Sequence, residues 1–383
     1  MYDYVIVGAG LFGSVFAREM TDAGASCLLI EKRNHIAGNC FTADMGGIQV
    51  HQYGPHIFHT NDRSIWQYVN RFATFSRFSY RPKVNYRGQF YSFPINLNTL
   101  YQLWGVCTPA DAEQRIESER IKIERPKNLE EWALSQVGRE LYETFVYGYT
   151  KKQWGREPSQ LPSSIIRRLP IRLTWNDDYF NDRYCGIPEG GYTKLFESLL
   201  DGIKVETETD FLKEQSRFEA LGKQILYTGP LDRLFNYEFG ANDWRGLRFK
   251  HQVKSLRDYQ GVAAINYTDA DVPYTRSVEH KHFDPVDRSH TVVTHEYPSD
   301  WKVGDDMYYP VNNESGEALQ AKYAAQLPKN YLIGGRLATY RYFDMHQVVA
   351  SAISLSKKEI ARDAGRLLRI ATPKRFPPSR RAA

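Results

Sequence analysis

The sequence predicts an α/β protein with α+β insertions, and three observations predict it. The apolar run Tyr4-Val5-Ile6-Val7 leads straight into Gly8-Ala9-Gly10-Leu11-Phe12-Gly13, and a helical pattern follows until about Gly24. A second apolar run, Cys27 to Ile30, delivers the carboxylate of Glu31 at its end. Near the other terminus Tyr331-Leu332-Ile333 reads as a further strand entering Gly334-Gly335-Arg336. One Rossmann-like nucleotide domain therefore brackets everything between.

Glycines at this spacing permit a tight turn and a close backbone approach to a pyrophosphate, whose charge rests on the N-terminus of the next helix. Glu31, about 20 residues on, suits a ribose hydroxyl. Gly8, Gly10, Leu11, Phe12, Gly13 and Glu31 are thus candidate cofactor-binding residues. A glycine fingerprint by itself also fits an ordinary βαβ turn. Strand, helix, second strand and terminal acid in register favour a dinucleotide site.

Between the brackets the pattern changes twice. Val84 to Phe93 alternates around Arg87-Gly88-Gln89 and stops at Pro94, which reads as a hairpin outside the nucleotide domain. From Leu97 to Ile166 the spacing turns helical. Asn128 with Glu131 is an N-cap signature, and Leu129, Trp132, Ala133, Val137, Leu141, Phe145 and Val146 form an apolar stripe. That helix is predicted to end at Gly148. Pro158, Pro162, Pro170 and the polar, aromatic run Trp175 to Asn181 exclude a long helix, so residues 162–181 are predicted to be a mobile loop at the active site. Pro188 to Leu200 resumes a turn and helix, Gly261 to Tyr267 and Thr291 to Tyr297 alternate as in an antiparallel sheet, and a helix from about Met345 to Asp363 closes the fold.

The expected division follows. Residues 1–77, 186–237 and 329–367 form the nucleotide domain, 78–96 and 238–328 an antiparallel sheet domain, 97–185 a helical domain, and 368–383 a basic disordered tail.

Length and charge bound the function. At 383 residues the chain can bury two or three domain cores, and 25% charged with 42% hydrophobic residues is ordinary for a soluble protein. The net charge of +5 is concentrated partly in Pro373 to Arg381, so it does not require a nucleic-acid partner. A pocket for a small anion accounts for it equally well. The four cysteines are too widely spaced for a CxxC motif and read as reduced packing residues. No apolar run approaches the roughly 20 residues of a membrane span. With no leader pattern ahead of the first strand, a cytoplasmic protein is expected.

The middle of the chain offers no HExxH and no Gly-x-Ser-x-Gly. His280 and His282 would face one side of a strand, as a pair of metal ligands does, but no third ligand stands at a readable spacing; hydrogen-bonded histidines and no metal are expected. What stands out is Phe145, Tyr149, Thr150, Trp154, Arg167, Arg168, Tyr179, Arg276, Tyr308, Tyr309, Arg336 and Tyr342. Aromatic faces stack on a base, phenols donate to phosphate oxygens, and guanidinium forks grip them in pairs. Core aromatics and surface arginines are the other reading of the same residues.

Six longer segments carry a resemblance. They are Gly148-Tyr149-Thr150-Lys151-Lys152-Gln153-Trp154-Gly155, Arg168-Leu169-Pro170, Asp178-Tyr179-Phe180, Ile187-Pro188-Glu189-Gly190-Gly191-Tyr192, Tyr308-Tyr309-Pro310-Val311-Asn312 and Gly335 to Met345. In this order the chain resembles the bacterial UDP-galactopyranose mutases, from its first strand to about residue 360. The resemblance implies a homodimeric FAD enzyme, active when reduced by NAD(P)H or a reductase, that interconverts UDP-galactopyranose and UDP-galactofuranose for cell-surface glycans. It also implies that N5 of reduced FAD attacks the anomeric carbon, so no side-chain nucleophile is needed.

By the same resemblance Phe145 and Tyr149 would hold uracil, with Thr150 and Trp154 beside the nucleotide. Arg168 and Arg276 would clamp the diphosphate and stabilise its departure, assisted by Tyr179, Tyr309 and Tyr342. Lys32, Gly38, Asn39, His56, His59, Gly335, Arg336, Tyr342, Asp344 and Met345 would join the glycines and Glu31 around FAD. Ser14 departs from the expected small residue and Ala37 from an expected glycine. An amine-oxidase or desaturase-like flavoprotein would need an apolar tunnel instead, and a non-catalytic sensor would bind UDP without converting the sugar.

Overall fold

The computed structural model describes residues 1–166, 171–311 and 313–371, with side chains described as far as residue 362. Five parallel strands form the nucleotide sheet, in the order Lys204–Glu206, Cys27–Ile30, Tyr2–Val7, Gly222–Tyr227 and Tyr331–Ile333. Val7 lies level with Ile30 on one side and Tyr227 on the other, so the strands end along a common edge. In parallel sheets the crevice beyond such carboxyl ends is where ligands bind.

Both faces of this sheet are covered, which is why its strands read as unbroken apolar runs. The helix Leu11–Asp22 buries Phe12, Val15, Phe16 and Met20, a spacing that keeps them on one stripe. This stripe packs with Val348, Val349 and Ala352 of the closing helix. Phe211, Phe218 and Tyr323 cover the other face. The closing helix runs Met345–Ala371, beyond the expected end at Asp363 and into the first residues assigned to the tail. Leu367-Leu368-Arg369-Ile370 contains no helix breaker, and the first proline comes at Pro373.

A second sheet has seven strands, ordered Tyr309–Pro310, Trp244–Lys254, Thr291–Asp300, Arg276–Glu279, Ala264–Tyr267, Lys83–Tyr86 and Gln89–Ser92. The last two form the predicted hairpin, with Arg87 at φ 51 and Gly88 at φ 80, the left-handed pair a two-residue connection favours. The sheet is mixed and not antiparallel throughout. Ala264–Tyr267 pairs parallel with Lys83–Tyr86, because the hairpin returns to the sheet only after the whole helical insertion, a crossover long enough to allow parallel pairing.

The helical insertion departs from expectation at its glycines. The helix Leu129–Leu141 is broken at Gly138, where φ is 75, and the chain then passes through a π-helical stretch, Tyr142–Tyr147, into Gly148–Trp154. Gly148 therefore does not end the helix; Gly155, at φ 64, does. A Cβ at position 148 would lie 2.1 Å from the carbonyl oxygen of Thr268, so this glycine permits close contact with the sheet domain. Gly148→Ala is expected to lower unfolding stability by about 1–3 kcal/mol, the usual cost of overpacking, read as a lower urea midpoint at unchanged slope.

Candidate functional site

One cavity of about 980 Å³ runs from the edge of the nucleotide sheet to the seven-stranded sheet and the helical insertion. Its first end is the glycine turn. Gly8 has φ +104, and a Cβ on Gly13 would meet the carbonyl oxygen of Gly8 at 2.1 Å. The following helix has Gly10 as N-cap with no capping side chain, which leaves first-turn N–H groups around Leu11 and Phe12 for an anion. Glu31 is buried; one carboxylate oxygen accepts the N–H of Ala9 at 2.9 Å and the other that of Arg33 at 3.0 Å. A rigid acid, a narrow turn and an uncapped helix start fit a dinucleotide.

Neighbouring residues close this end. Gly38 and Asn39 lie in a short turn preceded by Ala37 at φ 74, so the alanine occupies a left-handed conformation that glycine would adopt without strain. Arg33 donates to Asn39 at 3.0 Å and lies 4.2 Å over the ring of Tyr53. Arg33 and Lys32 both reach Asp306, at 3.0 and 3.3 Å, on a loop of the other sheet. Burial raises the Asp306 carboxyl, but the two cations overcome it and hold the group below its ordinary range.

Mid-cavity, His56 sits with Nδ1 2.9 Å from the Gly54 carbonyl. Burial pulls it down to about 4, so it is neutral at pH 7. His59 Nδ1 is 2.6 Å from Asp182, and its ring stacks on Phe180 at 3.8 Å. Gly335, Arg336, Asp344 and Met345 line the same wall, with Arg336 bonded to the Tyr308 carbonyl and 5.6 Å over the Tyr342 ring.

The far end gathers Phe145, Tyr149, Thr150, Trp154, Tyr179, Arg276, Tyr309 and Tyr342. Arg276 rests on buried Glu296, with Nε and Nη2 at 2.9 and 2.8 Å from one carboxylate oxygen. Burial opposes its charge, but Glu296 and the nearby phenols of Tyr80, Tyr149 and Tyr309 raise the guanidinium well above its ordinary value. Burial in turn pushes Tyr80 and Tyr149 up, and Tyr309 to about 12, against the pull of Arg276. A permanent cation is thus ringed by phenols that keep their protons.

Arg168 lies outside the described residues. Arg167 lies outside them too; among the described residues of the loop, the guanidinium that lines the cavity is Arg172, which donates to the carbonyls of Asp178 and Tyr179 while its Nε is buried without a hydrogen-bond partner. Sequence reasoning passed over Arg172, although it stands two residues after Pro170 in the same stretch. It also missed Tyr80, Arg33 and Asp306, which no motif marks.

His280 and His282 occupy a short helical turn and not a strand. His280 is buried between Thr294, 2.6 Å from Nε2, and the N–H of His51, 3.2 Å from Nδ1. His282 lies 3.3 Å from Glu279 and 3.4 Å from Asp258. Donor atoms of Asp258, Glu279 and His282 fall within 4.8 Å of one another, as do those of His59, Asp344 and His346. Glu279 already accepts the N–H groups of Tyr259 and Gln260, and His59 is paired with Asp182.

This fold and its glycine cradle define a dinucleotide-binding protein with a Rossmann-like domain, and residues 6–72 match the NAD(P)-binding Rossmann-like domain family. Residues 144–342 match the UDP-galactopyranose mutase family. The chain is 42% identical over 359 residues to a probable UDP-galactopyranose mutase of Klebsiella pneumoniae, covering 91% of this chain and 92% of that one. It is 39% identical over 369 residues to a dTDP-fucopyranose mutase of Escherichia coli, at 93% and 98% coverage. A crystal structure of reduced UDP-galactopyranose mutase shares the fold with a TM-score of 0.75 at 14% identity, covering 94% of both chains. The chain belongs to the UDP-galactopyranose mutase family.

The contact of Asp306 with Lys32 and Arg33 generates a prediction. Its carboxyl is held low in the fold, so the contact persists through the ordinary aspartate range and is lost only as pH falls below that range, through the lowered value. Asp306→Asn is expected to speed release of bound dinucleotide several-fold at pH 7, and acidification to speed it in the unaltered protein but much less in the variant, as followed by fluorescence of the released flavin.

Proposed function

We propose that this protein interconverts UDP-galactopyranose and UDP-galactofuranose with FAD bound in its reduced state and no net redox change. The observation that carries the reading is the single cavity that joins a dinucleotide cradle to a charged guanidinium ringed by phenols. Reduced FAD, when bound, supplies the nucleophile at N5 for the galactose anomeric carbon. Gly8, Gly10, Gly13 and the first turn at Leu11 and Phe12 would take its pyrophosphate. Glu31, Lys32, Gly38 and Asn39 would flank its adenosine, and His56, His59, Gly335, Arg336, Asp344 and Met345 its flavin portion.

The rest of the chemistry falls to the protein. UDP gains negative charge as it leaves, so donors aimed at the diphosphate favour the transition state over the ground state. Arg276 and Arg172 would carry that role, joined by Arg168 from the same loop, with Tyr179, Tyr309 and Tyr342 as donors. Phe145, Tyr149, Thr150 and Trp154 would hold the base. Glu296 keeps Arg276 charged and aimed while leaving its outer N–H groups to the substrate.

A charge-assisted hydrogen bond contributes about 1.5–3 kcal/mol, which at about 1.4 kcal/mol per tenfold is one to two powers of ten in rate. Arg276→Ala would strand the buried Glu296 carboxylate, so Arg276→Lys is the cleaner change: it keeps a charge and removes the fork. Arg276→Lys is expected to retain FAD and to lose about ten- to a hundredfold in kcat/KM; full turnover would remove the guanidinium from the reaction.

Closure of residues 162–181 over the nucleotide would exclude water during turnover, and UDP is expected to slow hydrogen exchange there. The wider reading is a cytoplasmic homodimer, reduced by NAD(P)H or a reductase, that supplies galactofuranose for cell-surface glycans. Among the described residues no helix is long and apolar enough to cross a membrane. The deciding experiment is incubation with UDP-galactofuranose and, in parallel, with dTDP-fucofuranose, with and without dithionite, followed by chromatography of the sugar nucleotides. Conversion of the first only after reduction supports the reading; conversion of the second alone reassigns the substrate, and conversion of neither removes the reading.

A further inference from the structure

Lys152 lies within the segment Gly148 to Gly155 but not in the cavity wall. Its ammonium turns instead into the connection between Ala264–Tyr267 and Arg276–Glu279, where Nζ donates to the carbonyls of Tyr267, Asp269, Val272 and Tyr274 at 2.8, 2.7, 2.9 and 3.1 Å. An ammonium has three N–H donors and a neutral amine two, whereas carbonyls only accept. Burial pulls the group down to about 8, opposed by the Asp269 carboxylate, and the four acceptors also favour the charged form.

Two further contacts fasten the same helix to the same domain. Gly148, one turn before Lys152 and on the same face, leaves no room for a Cβ against the Thr268 carbonyl. At the other end Arg245, from the strand Trp244–Lys254, donates to the carbonyls of Gln153 at 2.9 Å and Lys152 at 3.4 Å, satisfying groups that a helix terminus leaves open. The helix held in this way carries Tyr149 and Thr150 into the cavity, and the last carbonyl that Lys152 grips, that of Tyr274, stands two residues before Arg276.

We propose that Lys152 is a positioning residue that fixes the separation between the Tyr149–Thr150 wall and the Arg276 guanidinium, so that both grip one nucleoside diphosphate at once. The inference rests on the nucleotide-sugar reading given above. Held at the right spacing, the two ends act on one ligand without first ordering each other; a loose junction loses that advantage while each end keeps its own contacts.

The test uses the full-length, FAD-loaded protein. Lys152→Met keeps the apolar stem and removes every donor. Expected are an unchanged flavin content, a rise of about tenfold in the Kd for UDP and in KM for UDP-galactofuranose, kcat within about threefold, and a uridine Kd within about twofold, since uridine touches one end only. In Lys152→Ala, n-propylammonium is expected to restore UDP affinity and tetramethylammonium, which lacks N–H groups, is not. An unchanged Kd for UDP in Lys152→Met overturns the proposal, as do equal losses for UDP and uridine, which would mean a disrupted helix. Failure of the unaltered protein to bind UDP would remove the nucleotide-sugar reading instead. The junction is then judged by hydrogen exchange: faster exchange at both 148–155 and 267–275 in Lys152→Met supports it, and unchanged rates at either segment overturn it.

Discussion

The Arg276–Glu296 pair is the interaction on which the far end of the cavity depends. The two residues stand directly opposite each other on adjacent antiparallel strands, so the register of the sheet makes the contact and a slip of one residue would leave the two side chains on opposite faces. A buried guanidinium without its carboxylate would be strongly unfavourable. With it, a permanent positive charge faces the cavity at little risk of deprotonation, and the surrounding phenols stay neutral donors because burial resists their ionisation. Nothing at this end needs to titrate near neutral pH, which supports the proposed reading, in which it would stabilise a departing anion and leave bond formation to a bound cofactor.

The opposite end works through backbone. A glycine turn, an uncapped helix start and a carboxylate fixed by two main-chain N–H groups are all local consequences of one βαβ unit. The two ends meet because the second sheet sends Asp306 back over Lys32 and Arg33, and because the helix Gly148–Trp154 is docked on that sheet. The long cavity is therefore a property of three packed regions and belongs to none of them alone.

Which features were legible follows from the distance over which each is specified. The helix that follows the glycine turn, the hairpin turn at Arg87-Gly88 and the cap at Asn128 are set by neighbouring residues, and the structure has them where the pattern put them. In sequence Gly148 has the look of a helix end, as glycine commonly is one; its true constraint, the Thr268 carbonyl, lies more than a hundred residues away. The same distance hid the parallel pairing of the hairpin and the insertion of Gly222–Tyr227 beside Tyr2–Val7. The pattern around His280 suits a strand because the strand Arg276–Glu279 runs straight into the turn that holds it.

By itself the sequence determined the dinucleotide cradle, the helical and strand character of most segments, and, through its motifs, the family and, with Arg276, most of the aromatic residues that line the cavity. These are carried by short-range spacing and residue chemistry. Only the tertiary structure decided that Arg172, Tyr80 and Asp306 join the cavity, that Glu296 lies beneath Arg276, and that Lys152 turns away to clasp a remote connection. Each of these depends on contacts between residues far apart in the chain, fixed by sheet register and domain packing.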